Sequence, residues 1–295
     1  MTKPTTPLDA LEKLQQTLSR KTPLKTVASP PQMSLPLWPD AVRGIPNAVL
    51  RGALFSVTQR RPMLRKRTLL TTVDGVEIRF KGEAFNQTDL DVCEMLLHLA
   101  RQQPLGRRVD FTANALLKEL GRGTGKTQHE QLKEEISRLA AGLIEITWPH
   151  KDENGRRIAF GGTLVDHYGR DEQADGTQKY VVIFRQELLA LYETGYSHID
   201  WHQRQALSTS LAKWLHGFYA THAEPFAYKV ETIKSLCGST VERLGDFRKL
   251  LRKALDELEA SGAIKKGSEI TKDDLVVIAK IPTLSQQRHI RKRMK

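Results

Sequence analysis

The sequence predicts an α+β protein, mainly helical, in which two tandem winged-helix domains follow a flexible N-terminal leader. Three observations support this fold class: apolar residues recur at helical spacing, one order of elements occurs twice, and the start of the chain lacks any regular pattern. The expected divisions are a leader over 1–40, a first domain over 41–190, a second domain over 191–282 and a basic tail over 283–295.

The leader is rich in proline, threonine and serine. Pro30, Pro31 and Pro36 prevent regular structure around them, because proline lacks a backbone N–H and its φ angle is fixed. Leucines within 8–18 can line one face of a short helix, which would be marginal in isolation.

The first copy of the repeated pattern begins with an apolar-periodic helix and ends with extended segments. Its expected elements are a helix over 87–102, a brief strand at 109–111, a short helix at 116–120, a glycine-rich turn at 121–125, a helix through 132–143, an alternating strand at 144–148, a turn at 152–155, and extended segments at 157–166 and 180–185.

The second copy repeats this order from about Trp201 onward. Its expected elements are a helix over 204–221, a brief strand at 226–228, a short helix ending at Gly238, a long helix from Thr240 to Ser261, and two strands that end the unit near Ile278. Gly262 is well placed to end the long helix, because glycine readily adopts the left-handed conformation that follows helix C-termini.

Helix, short helix, tight turn, longer helix and strand pair is the order of a winged helix, which is a helix-turn-helix variant. The turn glycines Gly121 and Gly238 lie 117 residues apart and both follow a short leucine-bearing helix. A duplicated fold explains this equivalence more simply than coincidence does.

Composition excludes several classes of protein. No stretch approaches the ~18 uncharged apolar residues of a membrane span, and the start of the chain lacks the pattern of a secretion signal. Cys93 and Cys237 lie far apart without metal-ligand spacing, which favours buried reduced thiols. These features indicate a cytosolic protein.

The net charge of +12 is concentrated at the two ends of the chain. Residues 1–67 carry 12 basic and 3 acidic side chains, and residues 281–295 carry 5 basic and no acidic ones, so 68–280 sum to −2. Basic ends suit phosphate contact, because each neutralised phosphate releases counterions. A solubilising tail would have the same composition.

The long helix after Gly238 is the strongest candidate for DNA contact. Residues 241–253 hold five basic side chains against two acids, whereas 254–260 hold three acids and no base. At about 100° per residue, Lys249 and Lys253 point away from the apolar stripe. Ser239 or Thr240 is expected to cap the helix. The expected DNA-contacting residues are Ser239, Thr240, Arg243, Arg248, Lys249, Arg252 and Lys253. On charge alone, a solvated polar face is the simpler explanation of the helix, whereas its third-helix position favours DNA contact.

The corresponding helix of the first copy has a polar face of mixed charge. We expect this face to contact the DNA backbone or a protein partner, and to read bases less than the helix after Gly238 does. Its basic and polar residues are Lys126, Gln128, His129, Lys133 and Arg138. Basic residues just upstream are expected to grip phosphates, namely Arg60, Arg61, Arg65, Lys66 and Arg67.

Short strings along the body resemble those of the TrfA-type plasmid replication initiators. The matching strings are Leu37-Trp38-Pro39-Asp40, Ile45-Pro46-Asn47, Ala53-Leu54-Phe55, Arg138-Leu139, His222-Ala223-Glu224-Pro225, Glu231-Thr232 and Leu236-Cys237-Gly238-Ser239, followed by Arg243 and Arg248. The resemblance runs from about 32 to 280 and implies binding to double-stranded origin DNA at short direct repeats (iterons). It also implies opening of the origin, recruitment of the replicative helicase and the host initiator, and a monomer–dimer equilibrium in which monomers are the origin-active form.

The end of the leader, Gln32-Met33-Ser34-Leu35-Pro36-Leu37, is similar to the hexapeptide by which bacterial proteins dock on the replicative sliding clamp. Pro36 keeps the peptide extended, Gln32 would hydrogen-bond, and Leu35 and Leu37 would fill a hydrophobic cleft. The expected clamp-binding residues are Gln32, Ser34, Leu35 and Leu37. An ordinary linker with two apolar residues is the alternative.

No pattern predicts catalysis, a cofactor or a metal. The run from Gly121 to Thr127 resembles a phosphate-binding loop. That loop needs four residues between its first glycine and the Gly-Lys-Thr sequence, whereas only three residues separate Gly121 from Gly125. The histidines form no metal pattern, so we expect a protein that is not an enzyme. Two alternatives to an initiator stay open: a winged-helix transcriptional regulator, and an origin-nicking enzyme that would use a tyrosine such as Tyr180, Tyr192 or Tyr196.

Overall fold

Strands and helices are interspersed along the chain in a computed structural model that describes residues 35–102, 107–151 and 157–293. The helices are α1 Asn47–Leu50, α2 Gln87–Ala100, α3 Ala113–Glu119, α4 Lys126–Ala141, α5 Gln186–Glu193, α6 Trp201–Ala206, α7 Ser210–Ala220, α8 Val230–Leu236, α9 Leu244–Ala260 and α10 Leu284–Arg293. The strands are β1 Val42–Pro46, β2 Phe55–Ser56, β3 Met63–Leu70, β4 Glu77–Glu83, β5 Phe85–Asn86, β6 Arg108–Thr112, β7 Leu143–Lys151, β8 Arg157–Gly162, β9 Val165–Glu172, β10 Gln178–Phe184, β11 Tyr196–Asp200, β12 Tyr228–Lys229, β13 Glu269–Ile270 and β14 Leu275–Val277.

The described residues form a mixed α/β protein, so the expectation of a mainly helical fold is wrong. The missed strands are chiefly β3 and β4, which belong to a four-stranded sheet of order β3-β4-β7-β8. Nearly every side chain of β3 is exposed, so β3 lacks the alternation of apolar and polar residues by which a half-buried strand is recognised.

Two three-stranded sheets share one topology. In the first, β6, β10 and β9 follow α2 and enclose α3 and α4 in sequence, with order β6-β10-β9. In the second, β12, β14 and β13 follow α7 and enclose α8 and α9, with order β12-β14-β13. The middle strand is the last in sequence in both sheets, and all pairings are antiparallel. The order of elements that the sequence repeats is therefore also repeated in space.

The turn glycines of the two copies have the same backbone geometry. Gly121 has φ +69° and Gly238 has φ +65°. In each case the glycine N–H and the next N–H donate back to successive carbonyls of the preceding short helix, which is the Schellman arrangement. A left-handed residue at this point is readily supplied only by glycine.

The strand pair of the first copy differs from the expectation. The segment 157–162 was expected to complete that unit; instead β8 pairs with β7 in the four-stranded sheet. The strands that complete the unit are β9 and β10, which enclose a turn at Asp175-Gly176. The expected turn at 152–155 lies outside the described residues.

Buried apolar residues form two clusters. The first runs from Leu35 to Trp201 along the chain and the second from Leu207 to Val276. The expected domain boundary after 190 falls before β11, yet β11 pairs with β1 at the start of the body. The expected single helix over 204–221 is broken between α6 and α7, where Leu207 is extended and the Thr209 hydroxyl caps α7.

Charged side chains join the two clusters. Arg204 is 1% exposed, and its Nε donates to Asp91 Oδ1 on α2 at 2.8 Å. A second nitrogen of Arg204 donates to Gln87 at 3.1 Å, and Glu94 lies 2.9 Å from its Nε. Lys213 on α7 donates to the same Asp91 at 2.6 Å. These contacts hold the first helix of one copy against the helices that begin the other.

Candidate nucleic-acid interface

The long helix α9 begins three to four residues later than expected. After Gly238, residues 239–243 are not helical, and Arg243 occupies the N-cap without a side-chain cap hydrogen bond. The prediction that Ser239 or Thr240 caps this helix is wrong. The cause is the Schellman turn at Gly238, which ends the short helix and directs the chain away from its axis. The non-helical residues 239–243 then lead the chain to the start of α9.

The apolar stripe of α9 is buried as its periodicity predicts. Phe247, Leu251, Leu255 and Leu258 are at most 3% exposed, and Gly262, with φ +76°, ends the helix as expected. The opposite side of the helix is open to solvent. Its exposed basic residues are Lys249, Arg252 and Lys253, and Arg243 is exposed at the N-cap.

Arg248 makes a structural contact with Asp274. Its guanidinium donates twice to Asp274, at 2.6 and 2.9 Å, and Asp274 lies in the turn between β13 and β14 with φ +63°. Hydrogen bonds from Arg248 lower the pKa of Asp274. Arg248 therefore fastens the hairpin to α9, because the fold brings a carboxylate 26 residues later within reach, and its contact with DNA stays a prediction.

Lys249 and Lys253 occupy different surroundings on the open face. The Lys249 ammonium donates to Asp246 at 3.1 Å, while its side chain stays 76% exposed. Lys253 borders a groove of about 540 Å³ that also exposes Leu250 and Arg60. The structure thus brings Arg60, one of the basic residues expected to grip phosphate, beside the open face of α9.

Hydroxyl-bearing residues make up much of the remaining groove wall. They are Thr58, Ser208, Thr209, Ser210, Ser239 and Thr240. The residues just before α7 lie here, and the backbone N–H groups of Ser208 and Thr209 donate to Glu257 Oε2 at 2.9 and 3.0 Å. Although partial burial opposes it, these hydrogen bonds lower the pKa of Glu257.

The β13–β14 hairpin adds exposed cations that are not among the predicted DNA-contacting residues. Lys265, Lys266 and Lys272 are all exposed in or beside this hairpin. The signal available in the sequence is the pair Lys265-Lys266 directly before Gly267. Once Arg248 fastens the hairpin to α9, these lysines belong to the same part of the fold as the open helix face.

The first copy offers a weaker cationic surface. Lys126 is exposed, but Lys133 pairs with Glu130 at 3.4 Å and the His129 ring lies 2.8 Å from Asn114. The expectation that Arg138 lies on the outer face is wrong. Arg138 is 7% exposed, and its Nε donates to Asp89 Oδ1 at 3.0 Å.

The basic residues at 60–67 have two different roles. Arg61 donates to Asn86 and Thr88 at 2.9 and 2.8 Å, so it holds the start of α2 and is not a free phosphate contact. Arg65 and Lys66 are exposed on β3, and Arg67 on the same strand pairs with Glu145 at 3.0 Å.

The predicted clamp-docking segment is only partly described. Gln32 and Ser34 lie outside the described residues. Leu35 is 4% exposed within the first apolar cluster, whereas Leu37 is 84% exposed. Trp38 follows, buried, with its Nε1 donating to His98 Nδ1 at 3.1 Å. The two leucines expected to dock together therefore lie in opposite environments, and Leu35 has to leave the apolar cluster before it can dock.

Within 35–102, 107–151 and 157–293, no three His, Cys, Asp or Glu residues are arranged to hold a metal ion. Cys93 and Cys237 are buried and unpaired, and burial raises the pKa of both thiols, that of Cys237 to about 12. No described helix combines the length and apolar character of a membrane span.

Comparison with known proteins identifies the family of the chain. The family model described as TrfA protein matches residues 16–280. The chain belongs to the TrfA family. A curated relative from Escherichia coli, the plasmid replication initiator protein TrfA, is 26% identical over 244 residues, which is 81% of this chain and 62% of the relative. The chain therefore matches somewhat less than two thirds of that relative's length.

Two solved structures are similar to the chain. A crystal structure of domains 2 and 3 of RctB superposes with a TM-score of 0.52 at 12% identity, and covers 72% of this chain and 85% of that one. A second structure of the same RctB domains gives a TM-score of 0.48 at 10% identity, with 76% and 85% covered. The first likeness shows that this TrfA-family chain shares the architecture of two successive domains.

Proposed function

We propose that this TrfA-family protein is a plasmid replication initiator that binds direct-repeat DNA at an origin through two winged-helix domains. The observation that carries the proposal is the position of α9. This helix follows the turn at Gly238, packs its apolar side inward, and leaves Arg243, Lys249, Arg252 and Lys253 open to solvent. That is the position of a recognition helix in a winged helix.

The repeated sheet topology supports the winged-helix assignment. In each copy a strand precedes the short helix, and a hairpin after the long helix pairs with it. In the second copy, the wing is the β13–β14 hairpin with Lys265, Lys266 and Lys272. A helix in the major groove flanked by a basic wing on the phosphates would use both surfaces together.

The proposed division of labour assigns phosphate contact to the lysines and sequence reading to the N-terminal half of α9. Lys249 and Lys253 are point charges, so their contacts position the helix without selecting bases. Arg252 has the planar donor fork that reads guanine, and Asp246 can accept from a cytosine amino group. The exposed Leu250 offers an apolar contact of the kind that thymine methyl groups accept.

The test is equilibrium binding of the full chain to duplexes that carry the direct repeats found beside its gene. Lys249→Ala with Lys253→Ala is expected to weaken repeat binding about 10- to 100-fold. The slope of log affinity against log salt should become shallower by about 2, since each phosphate contact contributes about 0.9. Folding should stay within about 0.5 kcal/mol of wild type, because Lys249 and Lys253 have exposed side chains.

The matched control is Arg79→Ala with Lys81→Ala, which removes the same two charges from exposed positions of β4. If the control weakens binding as much as the α9 variant does, net charge explains the binding and α9 is not the reader. Normal repeat binding by the α9 variant would refute the assignment outright.

A winged-helix transcriptional regulator is the second candidate, favoured by the helix geometry alone, which regulators share. An origin-dependent replication assay in extract separates the two: an initiator supports synthesis from the repeat-bearing plasmid, and a regulator does not. We propose further that the protein acts by binding and recruitment, without catalysis. Relaxed circles formed from supercoiled origin DNA with Mg²⁺ would instead identify a nicking enzyme.

We also propose that residues 32–37 dock on the sliding clamp, with Leu35 exchanged from the apolar cluster to the clamp cleft. Full burial of a leucine side chain is worth about 1.5–3 kcal/mol, so docking competes with the body for this residue. Loosening the site that holds Leu35 should therefore strengthen clamp binding. Trp38→Ala serves this purpose, since Trp38 belongs to the same buried apolar cluster as Leu35.

Clamp affinity measured on immobilised clamp checks this competition. Gln32→Ala with Leu37→Ala should abolish clamp binding and leave repeat binding intact, and Trp38→Ala should raise clamp affinity. Retained clamp binding in the first variant would exclude the segment. We include recruitment of the helicase and the host initiator, and a monomer–dimer equilibrium, in the same proposal, and membership of the TrfA family supports them.

A further inference from the structure

The groove of about 540 Å³ beside α9 is lined by segments that lie far apart along the chain. They are residues 57–60 between β2 and β3, residues 208–211 at the start of α7, residues 239–241 after the turn at Gly238, and one side of α9. Hydrogen bonds fix the first of these segments against the second copy. The N–H of Val57 donates to the carbonyl of Cys237 at 3.0 Å, and Gln59 Nε2 donates to the hydroxyl oxygen of Ser210 at 2.9 Å. Both parts of the protein therefore hold the groove in shape.

The charged residues that line the groove are both cations. They are Arg60 and Lys253, which are exposed, and no aspartate or glutamate is among the described residues of the wall. Neither side chain makes a hydrogen bond or an ion pair within the ranges that the structure describes, whereas Lys249 on the same helix donates to Asp246. The carboxylate of Glu257 accepts from the backbone of residues 208 and 209 and does not line the groove. Two unpaired positive charges favour an anionic ligand.

Hydroxyl groups of the groove keep their protons for a ligand. Four hydroxyl oxygens accept from protein N–H groups at distances between 2.9 and 3.4 Å, namely those of Thr58, Thr209, Ser210 and Ser239. A hydroxyl has a single O–H, and none of these four donates to another described residue. Ser208 and Thr240 are exposed, and their hydroxyls make no hydrogen bond with the described residues. Donors and cations together suit phosphate oxygens, which accept hydrogen bonds and carry negative charge.

The groove is continuous with the open face of α9, because Lys253 belongs to both. Lys249 lies about one turn before Lys253 on that face. A single small anion could not use the open face and the groove together. A DNA strand can, since it carries one phosphate for about every 3.4 Å of helix axis.

We propose that the groove holds the phosphate backbone of one DNA strand beside the bases that α9 reads, with Arg60 and Lys253 on the same phosphate or on neighbouring ones. This contact depends on the proposed function, since α9 must first bring the duplex to this surface. The Thr240 hydroxyl donates to the same backbone, and Val57 and Val241 offer half-buried apolar surface to the deoxyribose.

The contact has a consequence for the junction between the two parts of the protein. Arg60 belongs to a segment that precedes both copies of the repeated pattern, whereas Lys253 belongs to the second copy. One bound strand therefore contacts both parts at once, and DNA binding stabilises their junction by mass action.

The test is a methylphosphonate scan with the full chain. Repeat duplexes that each carry one neutral methylphosphonate are titrated by fluorescence anisotropy, and a loss of wild-type affinity marks a contacted phosphate. Arg60→Ala should weaken binding to the unmodified repeat about tenfold and should show no further loss at one of those phosphates. Lys253→Ala should become insensitive at the same phosphate or at the next one on that strand. Such non-additivity is the mark of a direct contact.

Thr240→Val removes the hydroxyl and keeps the shape of the side chain. It should weaken repeat binding about threefold to tenfold and reduce the loss at the phosphates assigned to Arg60 and Lys253. Thermal unfolding should be unchanged, because the Thr240 hydroxyl makes no hydrogen bond in the described part of the chain. The matched control for Arg60 is Arg79→Ala, which removes an exposed arginine of β4 that does not line the groove and should leave the scan as in wild type.

A scan of Arg60→Ala or of Thr240→Val that matches wild type, with repeat binding intact, would overturn the groove contact and leave the proposed function standing. Assignment of Arg60 and Lys253 to phosphates on opposite strands would do the same. Wild-type protein that shows no preference for the repeats over unrelated duplexes would overturn both, because no duplex would then be held by α9.

Discussion

The buried ion pair between α4 and α2 allows a direct test of how this fold uses its basic residues. Arg138→Ala removes a guanidinium whose Nε and a second nitrogen both lie 3.0 Å from Asp89 Oδ1. Asp89 is 0% exposed, so the variant leaves a carboxylate with less compensation in the interior. Removing one partner of a buried pair typically costs about 3–5 kcal/mol.

The expected loss is near the lower end of that range, about 3 kcal/mol. Asp89 keeps the backbone N–H of Asn86 at 2.9 Å and the guanidinium of Arg61 at 3.6 Å. With a slope of about 3 kcal/mol per molar urea, the unfolding midpoint should fall by about 1 M. Lys133→Ala on the same helix is the control, since Lys133 makes only a surface pair and should cost about 0.5 kcal/mol or less.

The pH dependence checks the cause. Burial raises the pKa of Asp89, and the neighbouring Arg138 opposes that rise. Without Arg138 the pKa of Asp89 rises further, so the variant loses stability relative to wild type as pH rises and Asp89 ionises. The difference between the two proteins should therefore be large at neutral pH and shrink in acid. An unchanged urea midpoint, combined with weakened DNA binding, would show that Arg138 is an outward cation and refute the reasoning.

Two further predictions concern the second copy. Arg248→Ala and Asp274→Ala should weaken repeat binding by similar factors with little change in salt slope, because both release the hairpin from α9; electrophoretic titration at several salt concentrations measures this. If Arg248 instead contacts phosphate, its variant alone flattens the slope by about 0.9. Gly238→Ala should destabilise by about 2 kcal/mol or more, since left-handed strain costs about 1–2 kcal/mol and the added Cβ would lie 2.9 Å from a side-chain carbon. Gly121→Ala, where the nearest atom is 3.5 Å away, should show the strain alone in urea unfolding, and equal losses at the two glycines would contradict the packing argument.

Much of the second copy follows from the sequence by itself. The apolar stripe of α9, the left-handed turn at Gly238 and the stop at Gly262 all depend on residues close together along the chain. Helical periodicity and the conformational freedom of glycine are local properties, so a reader of the sequence can apply them without knowing the fold. For the same reason the repeated order of elements is visible in the sequence.

Only the tertiary structure decided which cations are open to solvent. Arg248 and Lys253 both lie on α9, but the fold brings Asp274 to the first and a groove to the second. Arg138 is charged and yet buried, because α2 places Asp89 beside it from 49 residues away. Leu35 is likewise held in the apolar cluster of the body. Ion pairs and burial depend on partners distant in sequence, and no local pattern specifies where those partners will lie.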